Sequence, residues 1–436
     1  MAALIGLPPA RTAALLEVLV GTRLLQAAGP DRYWLHALQR AYAADRALRE
    51  DDRDLRRSAL GRLAGWSLRS AHAARRAAGP FNPPVLQLPA DLAVTALAFA
   101  DGAGALRWYR EERASLLAVA RVAHAAELDR IVWQLPVVLH GRYLAGHLVE
   151  DWVQLATLGL TAAVRLGDRR ARARLHTRLG GVHLAAGRLE QAVAHQIDAV
   201  NLGDVGEQDE ITAADHGLGL AYLHLRGLPR AQEHFERTRE RARHADLGHW
   251  LAPALSCLAA LHIEAGDTRA AADLAEGALA ALDEQPDAAG YLRVDPLLVL
   301  ARVHREFGRF PDASLRVEQA ADLLDGLERP ALREAVLRAR AELATAHGRH
   351  EQALEITGHW LEVVHTLGDP ARYVLAGGQF SRACTRRTRC TAVGRSAAAP
   401  PPVRPPRRTG RVAGLHANAV LCTAAQVLRN RAPATV

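Results

Sequence analysis

The sequence contains no lysine: all 55 basic residues among its 436 are arginine. A P-loop requires a lysine on the nucleotide phosphates, a protein kinase requires its strand lysine, and Schiff-base chemistry requires an amine, so all three classes are excluded. Methionine occurs once, as Met1, and aromatic residues make up 5%. Of four cysteines, Cys384, Cys390 and Cys422 lie near the C-terminus and Cys257 stands alone in an apolar stretch. No disulfide framework follows, and the spacing of Cys384 and Cys390 is not that of a zinc or redox motif. There is no GxSxG, HExxH or CxxC, and the acids are spread along helix faces, so an enzyme is not expected.

The longest uncharged runs, near 248–263 and 412–428, contain His, Ser, Asn or Gln and fall short of a membrane span. The N-terminus lacks a positive segment before its apolar residues, so no secretion signal is read there and a cytoplasmic protein is the default.

The net charge of +8 points first to nucleic acid, until the charges are located. Residues 370–436 hold 12 Arg and no Asp or Glu; the preceding 369 residues carry 43 Arg against 47 acids. The body is mildly acidic, and the basic character belongs to the tail. That tail, with Arg386-Arg387, Ala397 to Pro402 and Pro405-Pro406-Arg407-Arg408, is too poor in apolar residues to fold alone. Disorder is expected over 382–414 and across most of 370–436. A reading-frame shift in a GC-rich gene produces the same composition.

What the body does have is helix formers, with Ala, Leu, Arg and Glu in a three-and-four apolar periodicity. Glycines at 187, 227, 266, 308 and 348 are each followed by an alanine, at 192, 231, 271, 313 and 353. Both series advance by about 40 residues, the period of stacked helical hairpins in which glycine turns the chain and alanine lets helices touch. Leu166-Gly167-Asp168, Leu202-Gly203-Asp204, Leu247-Gly248 and Leu367-Gly368-Asp369 read as the ends of second helices followed by a cap for the next. Gly79 to Pro84 with Pro89 reads as a linker, and Pro8-Pro9, the turn before Arg32 and the segment from Ala37 read as helix, hairpin, helix.

Within each repeat the residues resemble tetratricopeptide repeats: Leu179-Gly180, His183, Gly187, Ala192 and Ala199; Leu218-Gly219, Tyr222, Ala231 and Phe235; Leu258-Ala259, His262, Gly266, Ala271 and Ala278; Leu300-Ala301, His304, Gly308, Ala313 and Ala320. A fifth copy surrounds Gly348, Ala353 and Trp360, and an atypical earlier one surrounds Gly146 and Trp152, as capping repeats do. The fold expected is all-α, a tetratricopeptide-repeat superhelix preceded by a partial winged-helix unit. Its parts are 1–78 (winged-helix unit and following helices), 79–104 (linker), 105–369 (about six repeats) and 370–436 (tail).

The N-terminal segment is similar to the winged helix of STAND regulators, in particular SARP-type transcription regulators, through Gly6-Leu7-Pro8-Pro9-Ala10, Leu15-Leu16, Leu24-Leu25 and Arg32 to Ala43. Phe99-Ala100-Asp101 and Ala105 to Leu117 resemble the segment that joins winged helix to repeats in that family, with Ser115 where asparagine is usual. The resemblance implies the C-terminal part of such a regulator, without its nucleotide-binding domain. It implies that His36 corresponds to a histidine contacting the phosphate of bound ADP. Ala37 replaces the usual aspartate and no Walker motif occurs; the alternative is that His36 ends a strand and packs at the helix junction. No cofactor and no ATP turnover are expected of this chain by itself.

His183, His262 and His304 share one slot in three repeats, but neighbouring repeats place that slot roughly 10 Å apart or more, whereas zinc needs ligands near 2 Å. They are read as packing residues in the place of Tyr222, His347 and His350 as surface residues, and no metal is expected. Gly217 to Tyr222 lies inside a first helix and follows no strand, so it is packing and not a dinucleotide loop. The resemblance to tetratricopeptide repeats implies a concave groove along the first helices, whose matching positions include Arg174, Thr177, His216, His224, Ser256, Glu264, Arg302, Arg305 and Glu306, mixed in polarity and suited to a protein or peptide. The leading reading is a non-catalytic sensor module of a SARP/STAND-type transcription regulator. Two others stand beside it: direct nucleic-acid binding through the winged helix or the arginine tail, and a free-standing repeat adaptor.

Overall fold

The computed structural model describes residues 1–367 except 30–31, 79–85, 87, 89–93, 146–148, 204–207, 286–287 and 328. The arginine-rich tail lies outside the described residues. Seventeen α-helices and one two-stranded ribbon occur among the described residues, in two compact units that divide between His234 and Phe235.

The first unit begins with α1 (Ala2–Ile5) and α2 (Pro9–Gly21), whose N-terminal proline needs no amide partner there. Strands β1 (Gln26–Gly29) and β2 (Arg32–Trp34) pair antiparallel, Gln26 opposite Trp34 and Ala27 opposite Tyr33, with an irregularity between Ala27 and Gly29. Next come α3 (Ala37–Glu50) and α4 (Arg53–Ala78). Of the segment expected as a linker, residues 94–101 carry no helix and lead into α5 (Gly102–Ala125), capped by Asp101 Oδ1, which accepts from the Gly104 amide at 2.7 Å. The Tyr109 hydroxyl on α5 donates to the Ala71 carbonyl on α4 at 2.5 Å. One core joins these helices to the next three, from Ala64 and Leu68 to Leu179 and Val182.

Those next three are α6 (Asp129–Ala145), α7 (Val149–Arg165) and α8 (Arg169–Ala185), followed by α9 (Leu189–Leu202) and α10 (Gln208–His224). Helices α6 and α7 pack as one hairpin and α8 and α9 as another, and α8 also packs on α10, so first helices of successive repeats touch. Fully buried Trp152 anchors the first hairpin, its indole N–H donating to the Pro136 carbonyl at 3.0 Å. Helix α11 (Leu228–His244) crosses from one unit to the other.

In the second unit α12 (Gly248–Glu264) pairs with α13 (Thr268–Asp283), α14 (Val294–Glu306) with α15 (Phe310–Asp322), and α16 (Pro330–Ala346) with α17 (His350–Leu367). Its cores are small and local, one per hairpin or pair of hairpins, as repeat stacking requires.

The alanines at 192, 231, 271, 313 and 353 are all completely buried. Each lies five residues after a left-handed residue, which is glycine at 187, 266, 308 and 348. In the second repeat that residue is Arg226, at φ 60°, and Gly227 is not left-handed. The one-residue irregularity in the sequence spacing is thus a misplaced glycine, not a shifted turn. A similar correction applies to Leu247-Gly248: Asp246 takes the left-handed turn at φ 54°, and Gly248 is the first residue of α12.

Candidate functional site

Helix periodicity puts residues three, four and seven apart on one face, as Arg174 with Thr177 and Arg302 with Arg305 and Glu306 are spaced. In the first unit, Arg174 on α8 is ion-paired through Nε to Glu210 on α10, and both side chains are nearly buried. The Thr177 hydroxyl donates to the Ala173 carbonyl of its own helix at 3.0 Å. His216 on α10 reaches solvent in part, yet its dense surroundings desolvate the ring and lower its pKa to about 4, so it is neutral near pH 7. His224 is exposed in the last turn of α10.

In the second unit, Ser256 is buried and its hydroxyl donates to the Ala252 carbonyl at 2.8 Å, so it is directed into its own helix and not toward a groove. Glu264 on α12 accepts from Arg302 on α14 at 2.6 Å, Arg302 also reaches Glu306 at 3.3 Å, and Arg305 on α14 reaches Glu342 on α16 at 2.6 Å. Arg302–Glu306 lies within α14; the other three pairs bridge first helices of successive repeats, with partners 36 to 38 residues apart. Charges expected to await a ligand therefore tie repeat to repeat.

His36 is exposed and caps α3: its Nδ1 accepts from the Leu38 amide at 3.4 Å, and the Gln39 side chain accepts from the His36 amide at 3.3 Å. Strand β2 ends before it, at Trp34, and the ring is not packed into a helix junction. Helix α3 has no buried residue along its 14 positions.

The histidine slot shared between repeats behaves as a packing position in the first unit. His183 stacks on His195 with ring centres 5.3 Å apart, and Tyr222, the matching residue, stacks on His234 at 5.5 Å. In both repeats the partner lies 12 residues on, in the second helix. The buried Nδ1 of His183 has no hydrogen-bond partner. A different grouping went unseen in the sequence: His176 on α8 with His195 and Asp198 on α9. His176 Nδ1 lies 3.1 Å from His195 Nδ1 and 3.5 Å from Asp198 Oδ2. Desolvation lowers the pKa of both rings against the pull of Asp198, which keeps them neutral near pH 7. Among the described residues this is the one group of three whose ligand atoms lie close enough to share a metal ion, all within 4.8 Å of one another.

Next to this cluster Gln196, 2% exposed, is wedged between Gly180 of α8 and Gly217 of α10. Its Nε2 donates to the Thr177 carbonyl at 3.2 Å, and its buried Oε1 has no partner.

No family model matches the chain. The chain is 28% identical over 401 residues to the regulatory protein AfsR of Streptomyces griseus, an overlap of 85% of this chain and 41% of that protein. It is 31% identical over 300 residues to AfsR of Streptomyces coelicolor, covering 65% and 29%. The chain thus spans less than half the length of these relatives. Solved structures similar to it include a Rap protein complexed with competence and sporulation factor (TM-score 0.45, 10% identity, 78% of this chain and 99% of that one). The Cut9–Hcn1 hetero-tetramer of the APC/C is another (TM-score 0.45, 12% identity, 79% and 58%).

Proposed function

We propose that this chain, related over most of its length to AfsR-type regulatory proteins, is the non-catalytic sensor and protein-binding portion of a SARP/STAND-type transcription regulator. Similarity across 85% of the chain to a regulatory protein is the observation that carries this reading. The N-terminal elements support it. A helix of 14 residues is marginal in water without a packed face, and α3 has none; it exposes Leu38 and Tyr42 one turn apart, while α2 exposes Leu15 and Val18. In this reading that face docks on protein, the domain that precedes it in such regulators, and His36 stands at the same end of α3 as a phosphate contact. The repeats receive the signal or partner, and the parts 1–78, 79–104, 105–369 and 370–436 divide these tasks.

The test is transcriptional. Cells expressing the chain are compared with cells lacking it, and with cells expressing Leu38→Asp/Tyr42→Asp, a pair of exposed changes that leaves the repeats intact. A set of transcripts that responds to the chain and not to the variant is expected, with no ATP turnover by the purified protein. Identical transcript profiles with and without the chain, or measurable ATP hydrolysis, overturn the reading.

A further inference from the structure

Successive repeats carry different residue types at three matching sequence positions. In the second repeat, Asp215 on α10 meets His234 on α11 at 3.0 Å, a single acid–histidine pair. The matching slots one repeat earlier, 39 residues before in each case, hold His176 and His195. The third slot holds Asp198 in the first repeat and Arg237 in the second. The sequence thus has a cation at that position in one repeat and a carboxylate in the other. Of these two hairpins, the one formed by α8 and α9 therefore combines two imidazoles with an acid.

We propose that His176, His195 and Asp198 form a binding site for one divalent transition-metal ion of the zinc type, held by two imidazole nitrogens and one carboxylate oxygen. Zinc sits about 2.0–2.1 Å from such ligands in a tetrahedral arrangement, so neighbouring ligand atoms stand about 3.3 Å apart. The two separations from His176, 3.1 Å to His195 and 3.5 Å to Asp198, bracket that value, and the third pair lies within 4.8 Å. His195 and Asp198 are three residues apart on α9 and so share a face, and His176 approaches from α8. His183, stacked flat on His195 with 12° between ring planes, fixes the ring orientation from behind. Without an ion, the two Nδ1 atoms must share one proton in an N–H···N contact, while the third group is a carboxylate already at coordination distance. Two nitrogens with one oxygen select zinc, cobalt, nickel or copper over magnesium and calcium, which prefer all-oxygen sites. Three protein ligands leave a fourth position, and it opens to solvent on the side of Asp198, whose side chain is 57% exposed. A bound ion would tie α8 to α9 within one hairpin.

The test uses the full chain without a polyhistidine tag, stripped with a chelator and titrated with zinc(II) in competition with a chromophoric chelator, magnesium(II) serving as control. The expected result is one zinc per chain and a rise in melting temperature, no effect of magnesium, and affinity weakened by about tenfold or more in His195→Gln and in Asp198→Asn. Asp198→Asn changes an exposed residue and keeps the test valid if His195→Gln does not fold; circular dichroism of the metal-free proteins checks this. Absence of saturable zinc binding overturns the proposal. So does wild-type affinity in Asp198→Asn, which would assign the ion to other histidines.

Discussion

Replacing Gly217 with alanine separates two physical arguments that oppose each other. Propensity alone favours the change by about 0.8–1 kcal/mol, since Gly217 lies in the middle of α10. Packing opposes it. A Cβ at 217 would stand 2.3 Å from Nε2 and 2.7 Å from Cδ of Gln196, and on the far side of the same amide a Cβ at Gly180 would stand 2.5 Å away. A flexible side chain usually yields to such a contact, but Gln196 is enclosed between the two helices and bonded to the Thr177 carbonyl. Overpacking costs about 1–3 kcal/mol, and displacing the amide from its hydrogen bond about 1–3 more. Gly217→Ala is therefore expected to destabilise by about 1–5 kcal/mol after the propensity gain, measured by urea unfolding followed by circular dichroism with the slope unchanged. In a Gln196→Ala background the clash is gone, and the same substitution is expected to stabilise by about 0.8–1 kcal/mol, as propensity dictates. A Gly217→Ala protein more stable than its parent refutes the wedge.

Three other outcomes follow from the geometry. Arg226→Gly relieves an exposed arginine of its left-handed conformation and should raise stability by about 0.5–1 kcal/mol; a loss in the thermal melt would contradict the assignment of the turn to residue 226. For His216 the folded pKa, about 4, lies below the unfolded value of about 6.5, so its contribution is full above that value and is lost as pH falls toward 4. The total is about 3 kcal/mol, and His216→Gln should flatten that part of the stability-against-pH curve; an unchanged slope between pH 6.5 and 4 argues against burial of the neutral ring. Removing Glu210 strips a carboxylate from a nearly buried guanidinium and should cost about 3 kcal/mol, whereas Glu264→Ala on the more exposed pair should cost less than about 1. Equal losses in denaturant titration would show that burial does not distinguish them.

The repeat was legible because its two essential residues are local requirements. A left-handed turn selects glycine, a close helix contact selects alanine, and both recur at the period of the fold. Where one requirement was met by another residue, at Arg226, the spacing slipped by one while the alanine at 231 kept its place. The histidine cluster was not legible by the same logic. Comparing His183, His262 and His304 across repeats follows the period, but His176, His195 and Asp198 meet across a single hairpin, where the opposing helix must be placed before any contact can be named. The tell-tale was available only as a difference between repeats, Asp198 against Arg237.

The polar face of the first helices carries the same lesson into function. The resemblance to tetratricopeptide repeats assigns Arg174, Glu264, Arg302 and Arg305 to one face, but says nothing of what stands opposite one repeat away. Opposite each stands a partner of the other sign. These pairs do not have equal consequences for a ligand. Between α8 and α10 the ion pair is enclosed, so a ligand competing for Arg174 would have to break a desolvated contact and take over its energy. Between α12, α14 and α16 the pairs are partly wetted, each worth about 0–1 kcal/mol, and an incoming carboxylate can replace Glu264 or Glu342 with little loss. A peptide ligand on this face is thus better accommodated by the second unit, where exchange of one acid for another is nearly balanced, than by the first, where the same residue types brace neighbouring repeats.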